Sequence, residues 1–246
     1  MKRHYINNKV AIVTGAGKRL GRQIAIGLAK NGFVVVVNFF HSKSGASKTC
    51  SLISDIGGEA FPYRADVTNR QQVLAMVKKV YSSYGTIDLL VNNSAIFVEQ
   101  KFTSISEKIW DTTLDINLKS VFLCSQAVAP YMLKRSHGRI INIASVGGIQ
   151  AWQNHIPYSV SKAGVIMLTK CMAKALSPHV MVNAIAPGTI IIPGEEDPKQ
   201  KHIQISRIPL QRYGQPDDIT AAVNFLATTS SYMTGQILAI DGGRSI

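Results

Sequence analysis

The sequence has few cysteines, and the three present, Cys50, Cys124 and Cys171, form no CxxC pair and leave an odd count. That excludes a disulfide framework and a zinc site of the usual spacing. Six histidines are scattered with no HExxH and no pair at helical spacing, and the one acidic cluster, Glu195-Glu196-Asp197, lies beside proline and glycine in a predicted loop, so no metal is expected. Long apolar runs are missing too. The basic start MKRHYINNK is followed by only Val10 to Val13 before Thr14 and Gly15, which excludes a signal-peptide core and a bilayer-spanning segment at this point and makes the cytoplasm the expected compartment. No Pro/Ser-rich linker, repeat or low-complexity tract divides the chain, so residues 1–246 are expected to form one domain.

Carboxylates are also scarce. Asp and Glu number 14 against 27 Lys and Arg, a net charge of +13. A field of that sign attracts nucleic acid, phosphorylated cofactors and acidic carrier proteins alike, or belongs to an unspecialised solvated surface, and does not point to a site. No helix-turn-helix, RNP-like aromatic motif or basic arm accompanies it, so no nucleic-acid partner is expected.

What is present is apolar material, 46% of residues, arranged in two alternating patterns. Short β-branched runs at Val10–Thr14, Phe33–Asn38, Ala60–Arg64, Leu89–Asn92, Arg139–Ile143, Met181–Ala186 and Leu238–Asp241 read as strands. Between them lie stretches of helical period. The clearest is Asn69–Tyr84, where Val73, Met76, Val77, Val80, Tyr81 and Tyr84 share one face and Gly85 ends it. Strand and helix alternating throughout predict an α/β fold, a single doubly wound parallel sheet of about seven strands with helices on both faces. In such sheets ligands gather at the carboxyl ends of the strands.

The first strand is followed by TGAGKRLG, residues 14–21. Gly15 and Gly17 would permit a tight turn and close backbone approach, and Gly21 would let the next helix pack on the sheet while its free N–H groups face an anion. This predicts a dinucleotide pyrophosphate site. The acid that holds the ribose 2′-hydroxyl in NAD sites, about twenty residues further on, is missing. VVVVNFFHSKS stands there instead, and Lys18, His41, Ser42 and Lys43 would suit a 2′-phosphate, which predicts NADP(H). Asp66, after the third strand, would either accept from the adenine amine or cap a helix.

Tyr158 and Lys162, four apart, share a helical face. At an effective dielectric of about 20, an ammonium roughly 4 Å from a phenol is worth about 4 kcal/mol, or about three pKa units. That would bring the phenol toward neutrality and make Tyr158 a general acid. Ser145, thirteen residues earlier, would hold the substrate carbonyl oxygen against it.

The order of these motifs, TGxxxxxG after strand one, NN after strand four, a serine after strand five and then YxxxK, resembles the classical short-chain dehydrogenase/reductase family over essentially the whole chain. The resemblance implies a Rossmann-type domain, commonly a homotetramer, with Ser145, Tyr158 and Lys162 catalytic and Asn117 a fourth member that props a proton-relaying water. It implies cofactor contacts from Gly15, Gly17, Lys18, Arg19, Leu20, Gly21, Asn38, His41, Ser42, Lys43, Asp66, Val67, Asn92, Ser94, Ala95, Tyr158, Lys162, Pro187, Gly188, Thr189 and Ile190. Arg19, Phe97, Ser145, Trp152, His155 and Tyr158 are the candidate substrate contacts, with a lid at about 190–212.

Two departures matter: Arg19 replaces the middle glycine of the family's turn, and NNAG appears as Asn92-Asn93-Ser94-Ala95. Arg19 is similar to the arginine of pteridine reductases, as are HSKSGA and the DGGRSI terminus. Ser145 instead resembles the carbonyl-reducing branch, of which 3-oxoacyl-acyl-carrier-protein reductases are the commonest. The expected reaction is therefore NADPH-dependent reduction of a carbonyl, with a 3-oxoacyl thioester first, pteridine reduction second and a non-catalytic nucleotide-sensing or nucleic-acid-binding module third. A patch of Lys134, Arg135 and Arg139 would suit an acidic acyl carrier protein or a CoA phosphate, or be ordinary solvated charge.

Overall fold

The strands form where β-branched residues run together: β1 Lys9–Val13, β2 Phe33–Phe39, β3 Ala60–Arg64, β4 Leu89–Asn92, β5 Gly138–Ile143, β6 Val180–Pro187 and β7 Ile237–Ile240. The computed structural model describes residues 9–194, 205–230 and 232–246. The cluster Glu195-Glu196-Asp197 and the middle of the expected 190–212 lid lie outside them. The seven strands make one parallel sheet in the order β3-β2-β1-β4-β5-β6-β7. Each expected strand is present to within one residue at its ends.

Alternation along the central strands feeds two layers, because successive side chains point to opposite faces. Ala11, Val13, Val35 and Val37 pack against α1 (Arg19–Lys30), α2 (Lys43–Asp55) and α7 (Pro216–Asn224), through Leu28, Ile53 and Ile219 among others. Val10, Ile12, Val34 and Val36 face α3 (Arg70–Tyr84) and α5 (Ser120–Lys134), meeting Met76, Val80, Val128 and Met132. The remaining helices are α4 (Glu107–Leu114) and α6 (Ile156–Leu176). Pro62 is tolerated because β3 is an edge strand that pairs only with β2. The Asn69–Tyr84 reading is refined in one respect: Asn69 is the N-cap, its side chain accepting from Gln72 N–H, and Gly85 closes the helix at φ 72°.

The chain winds outward from β1 to β3, then crosses back to place β4 on the other side of β1. That reversal opens a crevice at the carboxyl ends of β1 and β4. Register puts Val13 beside Val37 and Val91, so Thr14, Asn38 and Asn92 come level at the ends of their strands.

The expected docking patch lies away from the crevice. Lys134, Arg135 and Arg139 sit before and at the start of β5, the amino-terminal edge of the sheet, opposite the crevice. Two of the three are also committed: Arg135 pairs with Asp88 at 3.1 Å, and the Arg139 guanidinium donates to the Leu226 and Ser230 carbonyls.

Candidate active site

The turn after β1 is held from below. Thr14 Oγ1 accepts from the N–H groups of Asn93 and Ser94 (2.9 and 3.0 Å), and Asn93 Nδ2 donates to the Thr14 carbonyl at 2.9 Å. Gly15 adopts φ 63°, and its N–H meets Asn38 Oδ1 at 3.3 Å. A Cβ at Gly21 would lie 2.4 Å from the Gly15 carbonyl oxygen, so only glycine brings the first turn of α1 this close to the loop. Lys18 is the N-cap of α1 but gives no side-chain cap, which leaves the first N–H groups of the helix for an anion beside the lining residues Gly15, Lys18, Arg19 and Leu20. Arg19 lines the same cavity from a left-handed φ of 49°, so the residue that replaces a glycine retains a glycine-like backbone. A Cβ at Gly17 would meet Ala46 N and Ser42 O at 3.2 and 3.3 Å, so this glycine seats the turn on the start of α2.

The cavity, about 460 Å³, runs from this turn to the end of β5. At one end it is walled by Asn38, Phe39, Phe40, His41, Asp66, Val67 and Thr68. Asp66 is the only carboxylate lining it among the described residues, and that carboxylate accepts from Thr68 N–H and Oγ1 at 2.9 and 2.7 Å. Of the two readings of Asp66, the N-cap belongs to Asn69. Ser42 and Lys43 follow directly as the N-cap and first residue of α2. Lys18 and His41 remain on the wall.

At the other end stand Ser145, Tyr158 and Lys162, all on the cavity wall. Ser145 follows β5, where its hydroxyl accepts from Gly147 N–H at 3.0 Å, and it stands close enough to the Tyr158 phenol to pull its pKa down. Tyr158 and Lys162 lie one turn apart on α6, with Nζ 5.8 Å from the phenol ring centre. The ammonium donates to the Ile143 carbonyl at 2.7 Å. The expected acidification of the phenol is corrected here. Burial raises the Tyr158 pKa above 10, with the Ser145 hydrogen bond acting in the opposite direction, while burial brings Lys162 down to about 8. The ammonium, turned toward that carbonyl, does not offset the desolvation of the phenol.

Asn117 lies in a π-helical turn, Asp115–Lys119, between α4 and α5, and is fully buried. Its Oδ1 accepts from Ile96 N–H at 2.8 Å, and its Nδ2 donates to the Ile96 carbonyl (3.0 Å) and Ser161 Oγ (3.1 Å). It therefore ties the segment after β4 to the helix that carries Tyr158. Asn92 also faces inward, donating to Ser125 Oγ at 3.1 Å and Asn142 Oδ1 at 2.8 Å, and joins sheet to helix instead of lining the cavity. Ser94 and Ala95 line it, as do Pro187, Gly188 and Ile190. Thr189 does not; it belongs to a second hollow, and its Oγ1 accepts from Arg244.

Phe97 lines the cavity and meets Tyr158 edge-on at 4.8 Å between ring centres. Trp152 and His155 stand behind it: Trp152 lies parallel to Tyr158 at 6.1 Å, and His155 stacks on Phe97 at 4.1 Å. His155 Nδ1 is bonded to the Val98 carbonyl at 2.9 Å, so the ring braces the wall. Sequence reasoning missed Asn93, Phe40, Thr68 and Arg244. Asn93 had a signal, as the second residue of the NN pair, and Thr68 had one two residues after Asp66, to which it bonds; Arg244 had none, since its partners Trp152 and Thr189 are distant in sequence.

Residues 15–245 match the family described as enoyl-(acyl carrier protein) reductase. The 3-oxoacyl-[acyl-carrier-protein] reductase of Synechocystis sp. is 41% identical over 238 residues, 96% of each chain. The 3-oxoacyl-[acyl-carrier-protein] reductase FabG of Thermotoga maritima is 39% identical, covering 97% of this chain and 98% of its own. The crystal structure of gox2181 superimposes with a TM-score of 0.90 at 31% identity, over 98% of this chain and 96% of that one. Because the family model spans residues 15–245 and relatives at about 40% identity cover almost the entire length, the chain belongs to the short-chain dehydrogenase/reductase family of oxidoreductases.

Proposed function

We propose that this protein is an NADPH-dependent reductase of 3-oxoacyl thioesters. The observation that carries the reading is Tyr158, with Ser145 and the buried Lys162 beside it, in one cavity with an uncapped helix N-terminus. The names of the relatives at about 40% identity supply the substrate class. The uncapped turn of α1 fits a pyrophosphate. Lys18, Arg19 and His41 on a wall whose one carboxylate is engaged with Thr68 fit a further phosphate. The nicotinamide cofactor would supply the hydride.

The chain's own residues do the rest. Ser145 holds the carbonyl oxygen, and Tyr158 donates the proton as negative charge builds on that oxygen. Lys162, as an ammonium, stabilises the phenolate left behind. Asn117 keeps α6 in register with the segment after β4, and a proton-relaying water beside it belongs to the same proposal. Exposed Phe122, Val160 and Met167 on α5 and α6 support the homotetramer, and a cytoplasmic location goes with the same reading.

The test sets acetoacetyl thioesters, on CoA and on acyl carrier protein, beside dihydrobiopterin, each with NADPH and NADH. Thioester-dependent oxidation of NADPH, at least about tenfold more efficient than with NADH, is expected, since losing paired contacts to one phosphate costs that much or more. Turnover of dihydrobiopterin alone would transfer the assignment to pteridine reduction.

Lys162 sets a pH limit. With its pKa at about 8, kcat/KM for reduction is expected to fall as pH rises through that value, and Lys162→Arg, which keeps its charge, removes the falling limb from any residual activity. The stability effect runs the other way. Between about 8 and the ordinary 10.5 the unfolded chain holds this proton and the folded chain does not, so Lys162 makes stability rise with pH across that window. Urea midpoints of cofactor-free wild type and Lys162→Met check the sign.

A further inference from the structure

The C-terminal turn does more than end the chain. Asp241 holds it, accepting from Gly243 N–H at 2.9 Å and Ser245 N–H at 2.7 Å. That fixes Arg244, whose side chain reaches in two directions. Its guanidinium lies over the Trp152 ring, 5.4 Å from the centre, and its Nη1 donates to Thr189 Oγ1 at 3.0 Å. Its carbonyl accepts from Gln150 Nε2 at 3.2 Å, on the segment that carries Trp152.

Trp152 is pinned from the other side. A Cβ at Gly147 would meet its ring at 2.9 Å, so the indole lies flat on the turn that follows Ser145, parallel to Tyr158. Thr189 follows Pro187 and Gly188, which line the cavity. One cation therefore touches both the aromatic wall behind the catalytic phenol and the loop bordering the cavity.

We propose that Arg244 is a positioning residue for specificity: it clamps Trp152 to the Thr189 loop, so the width of the acyl cleft and the seating of the nicotinamide end are set together. An arginine suits the role because its planar fork stacks on an indole while a peripheral N–H donates in the same plane. Lysine would keep the charge and lose the fork. The specificity part rests on the thioester reading; the clamp itself does not.

The experiment compares wild type, Arg244→Lys and Arg244→Met by three readouts. The first is KM and kcat for short and long 3-oxoacyl thioesters. The second is NADPH affinity. The third is Trp152 fluorescence in a Trp110→Phe background. Arg244→Met is expected to raise KM for the short substrate about tenfold, the scale of a lost cation–π contact, with a smaller rise for the long one whose chain fills the loosened cleft. NADPH affinity falls severalfold, the indole emission shifts to the red, and Arg244→Lys recovers part of the fluorescence but not the cofactor affinity.

Unchanged emission and unchanged NADPH affinity in Arg244→Met, with melting temperature alone lowered, overturn the clamp. If no thioester is reduced by wild type, the substrate reading has failed, and emission and cofactor affinity still decide the clamp. An equal KM rise for short and long chains overturns the specificity role.

Discussion

Replacing Tyr158 by phenylalanine is expected to lower kcat by about 10²–10⁴-fold, the range supplied by a positioned general acid. The fold should remain intact. The ring packs edge-on to Phe97 and parallel to Trp152, contacts a phenyl group reproduces, and the only atom lost is the oxygen that Ser145 reaches. NADPH oxidation below pH 8, where Lys162 is charged, together with near-UV circular dichroism, checks both halves. Turnover within tenfold of wild type would remove the phenol from the reaction and require another proton donor.

The second large effect is at Gly21. An alanine there places Cβ 2.4 Å from the Gly15 carbonyl oxygen and 2.5 Å from Asn93 Nδ2, backbone and amide already bonded to the turn. Neither can withdraw without opening the loop. Gly21→Ala is expected to destabilise by about 1–3 kcal/mol, as overpacking does, and to weaken NADPH binding more than tenfold because the α1 N-terminus shifts from its anion.

Gly27, six residues along the same helix, is the control. Its Cβ would make only ordinary contact with Thr220 at 3.4 Å, and Gly27→Ala should be neutral or stabilising by up to about 1 kcal/mol. Urea denaturation and fluorescence titration of NADPH separate the two. Equal behaviour of the two variants would show that the close approach at Gly21 has no consequence for binding.

What could be read early shares one property: it depends on neighbours close in the chain. Tyr158 and Lys162 come together because one helical turn separates them, and Asn69 and Gly85 mark the ends of α3 through their own backbone preferences. Gly15 and Gly21 were legible for the same reason. The contact of Gly17 with the start of α2 was not, since Ser42 and Ala46 lie well over twenty residues away in sequence.

The phenol shows the difference most sharply. Helical spacing put an ammonium near it, but whether that ammonium faces the oxygen or the Ile143 carbonyl, and how much water is left around the pair, depends on β5 and the aromatic wall.

By itself, then, the order of residues determined a parallel α/β sheet, a phosphate turn after β1 and a Ser-Tyr-Lys set, because periodicity, glycine conformation and helical spacing act over a few residues. Only the tertiary structure decided that the Lys162 ammonium meets the Ile143 carbonyl, that Asn117 ties the segment after β4 to α6, and that Arg244 stands behind the catalytic wall. Desolvation and hydrogen-bond partnership are set by segments that meet only on folding.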